Sequence, residues 1–330
     1  MTDAAAWIVR QRLLTLQVIV APRSKQDTVR KDKSMRIFVT GATGFVGSAV
    51  VRELIGAGHE VTGLARSDNA VAALAAAGAA AHHGHLEDLE SLKRGADAAD
   101  AVIHCGFIHD FSRFKENCEI DRRAVEAIGT TLAGSDRLLV VTSGTGLITP
   151  GRIATEQDLP TPGSPPRVAS EEAAASVAAK GARVSVMRLP PSVHGEGDHG
   201  FVPILIDLAR RSGVSAYVGK GENRWPAVHR RDAARLYRAV VESAETMPRY
   251  HAVAEEGVTF REIARIVSTQ LGVPMVSKTE EEAAGHFGWF AHFAALDGPA
   301  SSEQTRRVTG WQPGEIGLLE DLDQPYYVAA

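Results

Sequence analysis

Cysteine is scarce in this chain of 330 residues: only Cys105 and Cys118 are present. Two such thiols make neither a disulfide framework nor a cysteine metal site, so a reducing, cytoplasmic setting is expected. Basic charge is not in excess either, since 36 Lys and Arg face 40 Asp and Glu for a formal net charge of −4. That balance gives no reason to expect a nucleic-acid partner, because binders of polyanions usually carry basic patches. No apolar run is long enough to span a membrane, which takes about 20 residues. No repeat at fixed period is visible, which argues against a solenoid or propeller. Tyrosine is absent from Met1 to Ala216. A small-molecule partner suits this composition best.

What is present begins at Met35. The apolar run Arg36-Ile-Phe-Val39 flows into Thr40-Gly-Ala-Thr-Gly-Phe-Val-Gly47 and then into the amphipathic run Val46, Val50, Val51, Leu54. A buried parallel strand turning through glycines into a helix presents backbone N–H groups and the helix's positive end to a diphosphate. Gly41 permits the tight turn, Gly44 lets a pyrophosphate approach the backbone, and Gly47 lets the helix pack close to the strand. Thr40, Thr43, Phe45 and Val46 complete the turn. Apolar runs at Val61 to Leu64, Ala98 to Cys105, Arg137 to Thr142 and Arg183 to Arg188 alternate with helical patterns, the rhythm of a parallel sheet. The expected fold is therefore α/β, a Rossmann-type doubly wound sheet over residues 35–190, with 191–330 forming mainly a smaller substrate-binding cap. A strand near Tyr250 to Ala254 is expected to return to the main sheet.

At the end of the second strand, where the adenosine ribose would lie, the chain reads Leu64-Ala65-Arg66-Ser67. No carboxylate stands there to accept bonds from a free 2′-hydroxyl, and Arg66 suits a 2′-phosphate. NADP is therefore the expected cofactor, with NAD left open, and Arg36 is a more distant candidate to assist. Residues 1–34 read as an extension outside the fold. The apolar stretch Trp7 to Val20 is interrupted by Arg10 and Arg12 and closes on no small-residue cleavage pattern, which argues against a signal peptide. A disordered arm, a targeting segment and a start codon upstream of a natural Met35 all stay open.

From Met35 onward the chain resembles the short-chain dehydrogenase/reductase superfamily in its extended, epimerase/dehydratase-like form. Besides the Thr40 to Gly47 turn, the resemblance rests on Gly84-His-Leu-Glu-Asp88, similar to the adenine-side loop, and Val102-Ile-His-Cys-Gly106 at the fourth strand's end. It extends to Val140-Val-Thr-Ser-Gly144, which resembles the strand carrying the family's serine, and to Met187-Arg-Leu-Pro-Pro-Ser-Val-His-Gly195, which resembles RxxxVYG. Val228-His-Arg-Arg-Asp-Ala-Ala234 resembles VHVDDxA, and Thr309-Gly-Trp-Gln-Pro313 resembles LGWxP. The resemblance implies that His85, Leu86, Cys105, Gly106, Leu189 and Ser67 join the cofactor site. It also implies that Ser143 is the family's serine.

The tyrosine and lysine that the family spaces YxxxK are missing. Their positions hold Arg167 and Glu171, and the family's asparagine position holds Asp121, as in an atypical branch of the superfamily. Arginine stays protonated near neutrality and is no ordinary general acid, but it can clamp an alkoxide or carboxylate electrostatically, with Glu171 orienting it. The alternative is a surface ion pair at i and i+4. Ser143 or Thr145 would then polarise substrate, and His194 or His109 is the candidate titrating group, Asp110 standing with His109 after the fourth strand and His199 with His194 after the sixth. His82, His83 and His85 lack a second ligand cluster, so no metal is expected. The expected function is an NAD(P)-dependent oxidoreductase or epimerase/dehydratase-like protein acting on a small carbonyl or hydroxyl compound. The alternative is an NADP-binding redox sensor without turnover. Substrate identity and oligomeric state stay open, a homodimer included.

Overall fold

The computed structural model describes residues 34–148, 151–160 and 165–328. Apart from Ser34, the expected amino-terminal extension lies outside the described residues. The apolar run after Met35 forms β1 (Arg36–Thr40), whose Ile37, Phe38 and Val39 are fully buried, as expected of a central parallel strand covered on both faces. It leads into α1 (Phe45–Gly56), then β2 (Glu60–Ala65), α2 (Asp68–Ala76), β3 (Ala80–His83), α3 (Leu89–Asp97) and β4 (Ala101–His104). The second half of the sheet follows as α4 (Phe114–Leu132), β5 (Leu138–Gly144), α5 (Ala169–Ala179) and β6 (Arg183–Leu189).

The chain then leaves the sheet through β7 (Ser192–His194), α6 (Phe201–Ser212), β8 (Ser215–Val218), β9 (Arg224–His229) and α7 (Arg230–Glu242), and returns to it as β10 (Arg249–His251). The remainder comprises β11 (Glu255–Thr259), α8 (Phe260–Leu271), β12 (Met275–Lys278), α9 (Glu280–Phe287), α10 (Ala291–Ala294), α11 (Glu303–Thr309), α12 (Leu318–Leu322) and α13 (Pro325–Val328).

The seven-stranded sheet runs β10-β6-β5-β4-β1-β2-β3, and every recorded pairing in it is parallel. The winding direction reverses between β1 and β4, which opens a crevice at their carboxyl ends where such sheets take ligands. One face is covered by α1 and α7 through Val50, Leu54, Leu236 and Tyr237, the other by α3, α4 and α5 through Leu92, Val125, Ile128 and Ala173. Each large aliphatic side chain buried this way contributes about 1.5–3 kcal/mol.

The buried stripe of α4 runs Asn117, Asp121, Ala124, Val125, Ile128, Leu132, the spacing of one helical face. A carboxylate on that stripe must find partners inside the protein.

The smaller lobe carries a three-stranded sheet, β11-β9-β7, and a two-stranded one, β12-β8, around a core including Trp225, Phe260 and Phe290. The expected return to the main sheet occurs: β10 pairs with β6. Trp311 of the tail donates from Nε1 to the Asp232 carbonyl, 2.9 Å, fastening the carboxyl-terminal segment to α7.

Candidate functional site

The β1–α1 turn is built by steric necessity. Gly41 sits at φ +64°, and a Cβ there would lie 2.7 Å from the Gly106 nitrogen and 2.8 Å from the Cys105 carbonyl carbon. A Cβ on Gly47 would lie 2.0 Å from the Gly41 oxygen. Gly44 is the N-cap of α1, and the first turn has neither a side-chain cap nor an acidic residue. A Cβ on Gly44 would meet only the Gly41 oxygen, at 3.2 Å. The helix N–H groups and dipole therefore face an unobstructed approach for an anion. These residues fit the diphosphate of a nicotinamide dinucleotide.

Around this cradle, Leu86 packs beside Gly106, where a Cβ would come within 2.9 Å of Leu86 Cδ2. Phe45 lies under the Arg230 guanidinium, 4.9 Å away, and meets His199 edge-on at 5.7 Å. Val46 and Leu189 are half-buried, and Thr43, Arg66 and His85 are exposed. Arg66 directly follows β2. Ser67 caps α2 by accepting from the Ala70 nitrogen, 3.3 Å. Burial pushes the Cys105 thiol up to about 11, so it is a packing group rather than a nucleophile at neutral pH. Arg36 is ion-paired with Asp100 at the amino end of β1. That end is opposite the cradle, so Arg36 does not assist there.

A buried polar chain starts at the same turn. Thr40 Oγ1 accepts from the Gly106 nitrogen at 3.1 Å and lies 2.8 Å from His104 Nδ1, while His104 Nε2 lies 3.0 Å from Asp121 Oδ1. With Asp121 an acceptor, Nε2 carries the proton and the Thr40 hydroxyl donates to Nδ1. Asp121 Oδ2 also accepts from Ser170 and from Arg167, the latter at 2.9 Å. Burial by itself would raise the Asp121 carboxyl, but the Arg167 charge, with His104 and Ser170, holds it below its ordinary range.

The expected Arg167–Glu171 pair does not form. Arg167 belongs to a 3₁₀ turn, Pro166–Val168, that precedes α5, so the two residues do not share one helical face. Its carboxylate is Asp121. It also donates to the Thr142 carbonyl at 3.0 Å and stacks over Phe107 at 4.2 Å. Glu171 is instead gripped at two points by the fully buried Arg188, 2.8 and 2.7 Å, and accepts from Ser143 Oγ at 2.8 Å. The surface-pair alternative fails as well, since the Arg167 and Glu171 side chains are only 17% and 8% exposed.

Ser143 has one hydroxyl hydrogen, and Glu171 takes it; what Ser143 offers a substrate is an acceptor. Thr145, beside it in a 3₁₀ turn, is fully buried, and its hydroxyl has no partner among the described residues. His194, at the end of β7, is buried, with Nδ1 held 2.9 Å from Asp321 Oδ2 and Nε2 without a partner among the described residues. Asp321 also accepts from Tyr326 and Tyr327, and Tyr327 reaches Asp198. Burial pushes the Asp198 carboxyl up to about 6. His109 and His199 are exposed. His82 lies within 2.9 Å of both the Ser91 carbonyl and the Ser91 hydroxyl.

Sequence reasoning missed Arg188, His104 and Asp321. Only Arg188 carried a signal: an arginine inside the apolar strand pattern of β6 must be buried and paired.

The family model for the NAD dependent epimerase/dehydratase family matches residues 37–254. The chain belongs to that family. It is 48% identical over 295 residues to an uncharacterized protein of Saccharomyces cerevisiae, covering 88% of this chain and 99% of that one. A Schizosaccharomyces pombe protein, also uncharacterized, is 48% identical over 89% of this chain and 100% of its own length. Among solved structures, a dTDP-glucose 4,6-dehydratase from Streptomyces venezuelae with NAD and TYD bound superposes with a TM-score of 0.70 at 21% identity, covering 88% of this chain and 96% of that one. This last likeness is one of fold. No helix among the described residues is long and apolar enough to cross a membrane.

Proposed function

We propose that this member of the epimerase/dehydratase family is an NADPH-preferring oxidoreductase acting on a small carbonyl or hydroxyl compound in the cytoplasm. The observation that carries the reading is the open, uncapped glycine turn at the sheet's switch point, with the unpartnered Thr145 hydroxyl and the Arg167 guanidinium at the end of β5. When bound, the nicotinamide dinucleotide supplies hydride exchange with a carbonyl or carbinol carbon. Thr145 and the remaining N–H groups of Arg167 donate to the substrate oxygen, where negative charge develops during reduction. Ser143 accepts from a neighbouring substrate hydroxyl, and His194 is held in orientation by Asp321.

Calorimetric titration with NADPH and NADH tests the base of this reading. NADPH is expected to bind at least tenfold more tightly, and Arg66→Asp is expected to reverse the order, because the guanidinium is exchanged for a ribose-hydroxyl acceptor. Failure of both coenzymes to bind refutes the proposal. A second reading, an NADP-binding redox sensor, is favoured by the absence of a tyrosine–lysine pair, Arg167 and Glu171 being committed to Asp121 and Arg188. Coenzyme binding with no oxidation of NADPH across a panel of aldehydes, ketones and nucleotide sugars would select it.

A further inference from the structure

Five aromatic side chains form a wall between the dinucleotide-binding end of the sheet and the smaller lobe. Phe107, under Arg167, meets Phe114 at 6.2 Å; Phe114 stacks on Phe111 at 5.6 Å with planes 27° apart. Phe111 then stacks on Trp289 at 4.8 Å and 25°, and meets Phe293 at 6.5 Å. The first three come from the segment after β4, the last two from the smaller lobe, so the Phe111–Trp289 stack bridges the two. None of the five is fully buried, and Trp289 is 55% exposed. The same lobe segment places Leu296 over Gly146, next to the unpartnered Thr145. An aromatic surface left partly wet, leading to hydrogen-bond donors, gains by covering its rings with another apolar plane.

Three arginines bordering this wall are already paired. Arg167 is paired with Asp121, Arg113 with Glu116, and Arg224 with Asp297 at two points. A diphosphate-bearing substrate needs unpaired cations, which these arginines do not provide.

We infer that the substrate is a planar, uncharged aromatic or conjugated carbonyl compound, its ring system held on the Phe107–Phe111–Trp289 wall and its oxygen turned toward Thr145 and Arg167. This rests on the function proposed above and names its substrate class.

The test is calorimetric titration of the full chain, saturated with NADPH, with 2-acetylnaphthalene, and separately with cyclohexyl methyl ketone and UDP-glucose. 2-Acetylnaphthalene is expected to bind at least tenfold more tightly than either. Phe111→Ala and Trp289→Ala should each weaken it by about tenfold, and Trp289→Phe by less than about threefold, since a ring is retained. Unchanged NADPH affinity in these variants shows that they are folded. Tighter binding of UDP-glucose, equal binding of the cyclohexyl ketone, insensitivity to the alanine variants, or no ketone binding by the NADPH-loaded chain overturns the inference while leaving the coenzyme reading intact. Failure of NADPH itself to bind removes both.

Discussion

The imidazole of His251 lies between a carbonyl and a guanidinium, and those neighbours dictate its protonation state. Nδ1 is 2.8 Å from the Ser301 carbonyl and must donate; Nε2 is 3.3 Å from Arg188 Nη1 and must accept. A second proton would place N–H against N–H inside the protein. Burial first, with Arg188 also opposing the charged form, pushes the imidazole down to about 4. Because the folded pKa lies below the unfolded value of about 6.5, the unfolded chain takes up the proton first as pH falls. The stability contributed by neutral His251 is complete above pH about 6.5 and is lost between there and pH about 4, a loss of about 3 kcal/mol. Urea denaturation from pH 7.5 to 4.5 should show this slope, and His251→Gln should flatten it; an unchanged slope in the variant would assign the loss to other groups. The neighbouring Glu171–Arg188 pair gives a second expectation. Arg188→Met leaves a buried carboxylate without its partner and should cost about 3–5 kcal/mol. The double variant Glu171→Met with Arg188→Met should recover most of that, because it removes both charges together. If the double variant is as unstable as the single one, packing rather than charge explains the site.

At the scale of elements, the junction of β1 and α1 has the least freedom. Gly47→Ala would place a methyl group 2.0 Å from a backbone oxygen that no rotamer change can move. Dinucleotide affinity should fall more than tenfold in calorimetry, because the turn must shift before the helix can start. Gly56→Ala at the other end of α1 meets nothing within 4 Å and does not need positive φ, so it should stabilise the chain by about 0.4–1 kcal/mol. Equal coenzyme affinity in wild-type and Gly47→Ala protein would contradict the anion cradle. This junction was legible in the sequence because the apolar run, the glycines and the amphipathic helix are consecutive, and β2 at Glu60–Ala65 matches its apolar run for the same reason. The pairing around Arg167 was not. Spacing in the chain suggested a helical neighbour at Glu171, but Pro165-Pro166 sets a 3₁₀ turn ahead of α5. The true partner, Asp121, arrives from another helix, and Arg188, the true partner of Glu171, arrives from β6. Contacts made across elements leave no periodic trace.

For the molecule as a whole, the decisive feature is that the chain crosses between its two lobes more than once. α7 packs on α1, and β10 closes the main sheet beside β6, although both lie beyond the stretch that supplies the first six strands. The tail then returns to α7 through Trp311. The main sheet cannot lose these late segments without exposing Tyr237 of α7 and Tyr250 of β10, both fully buried in its core, so thermal unfolding should be a single cooperative transition. A ligand held at the β1–α1 turn and the end of β2, both in the main lobe, must then stabilise the entire chain. NADPH at about 100 times its dissociation constant adds about 2.7 kcal/mol to the native state, which for a protein of this size raises the melting temperature by about 4 °C. Scanning calorimetry should show one peak moving as a unit, and Gly47→Ala should keep the peak while cutting its movement by half or more. Two peaks, of which NADPH moves one, would mean that the lobes fold independently and that the crossing segments contribute little to their cohesion.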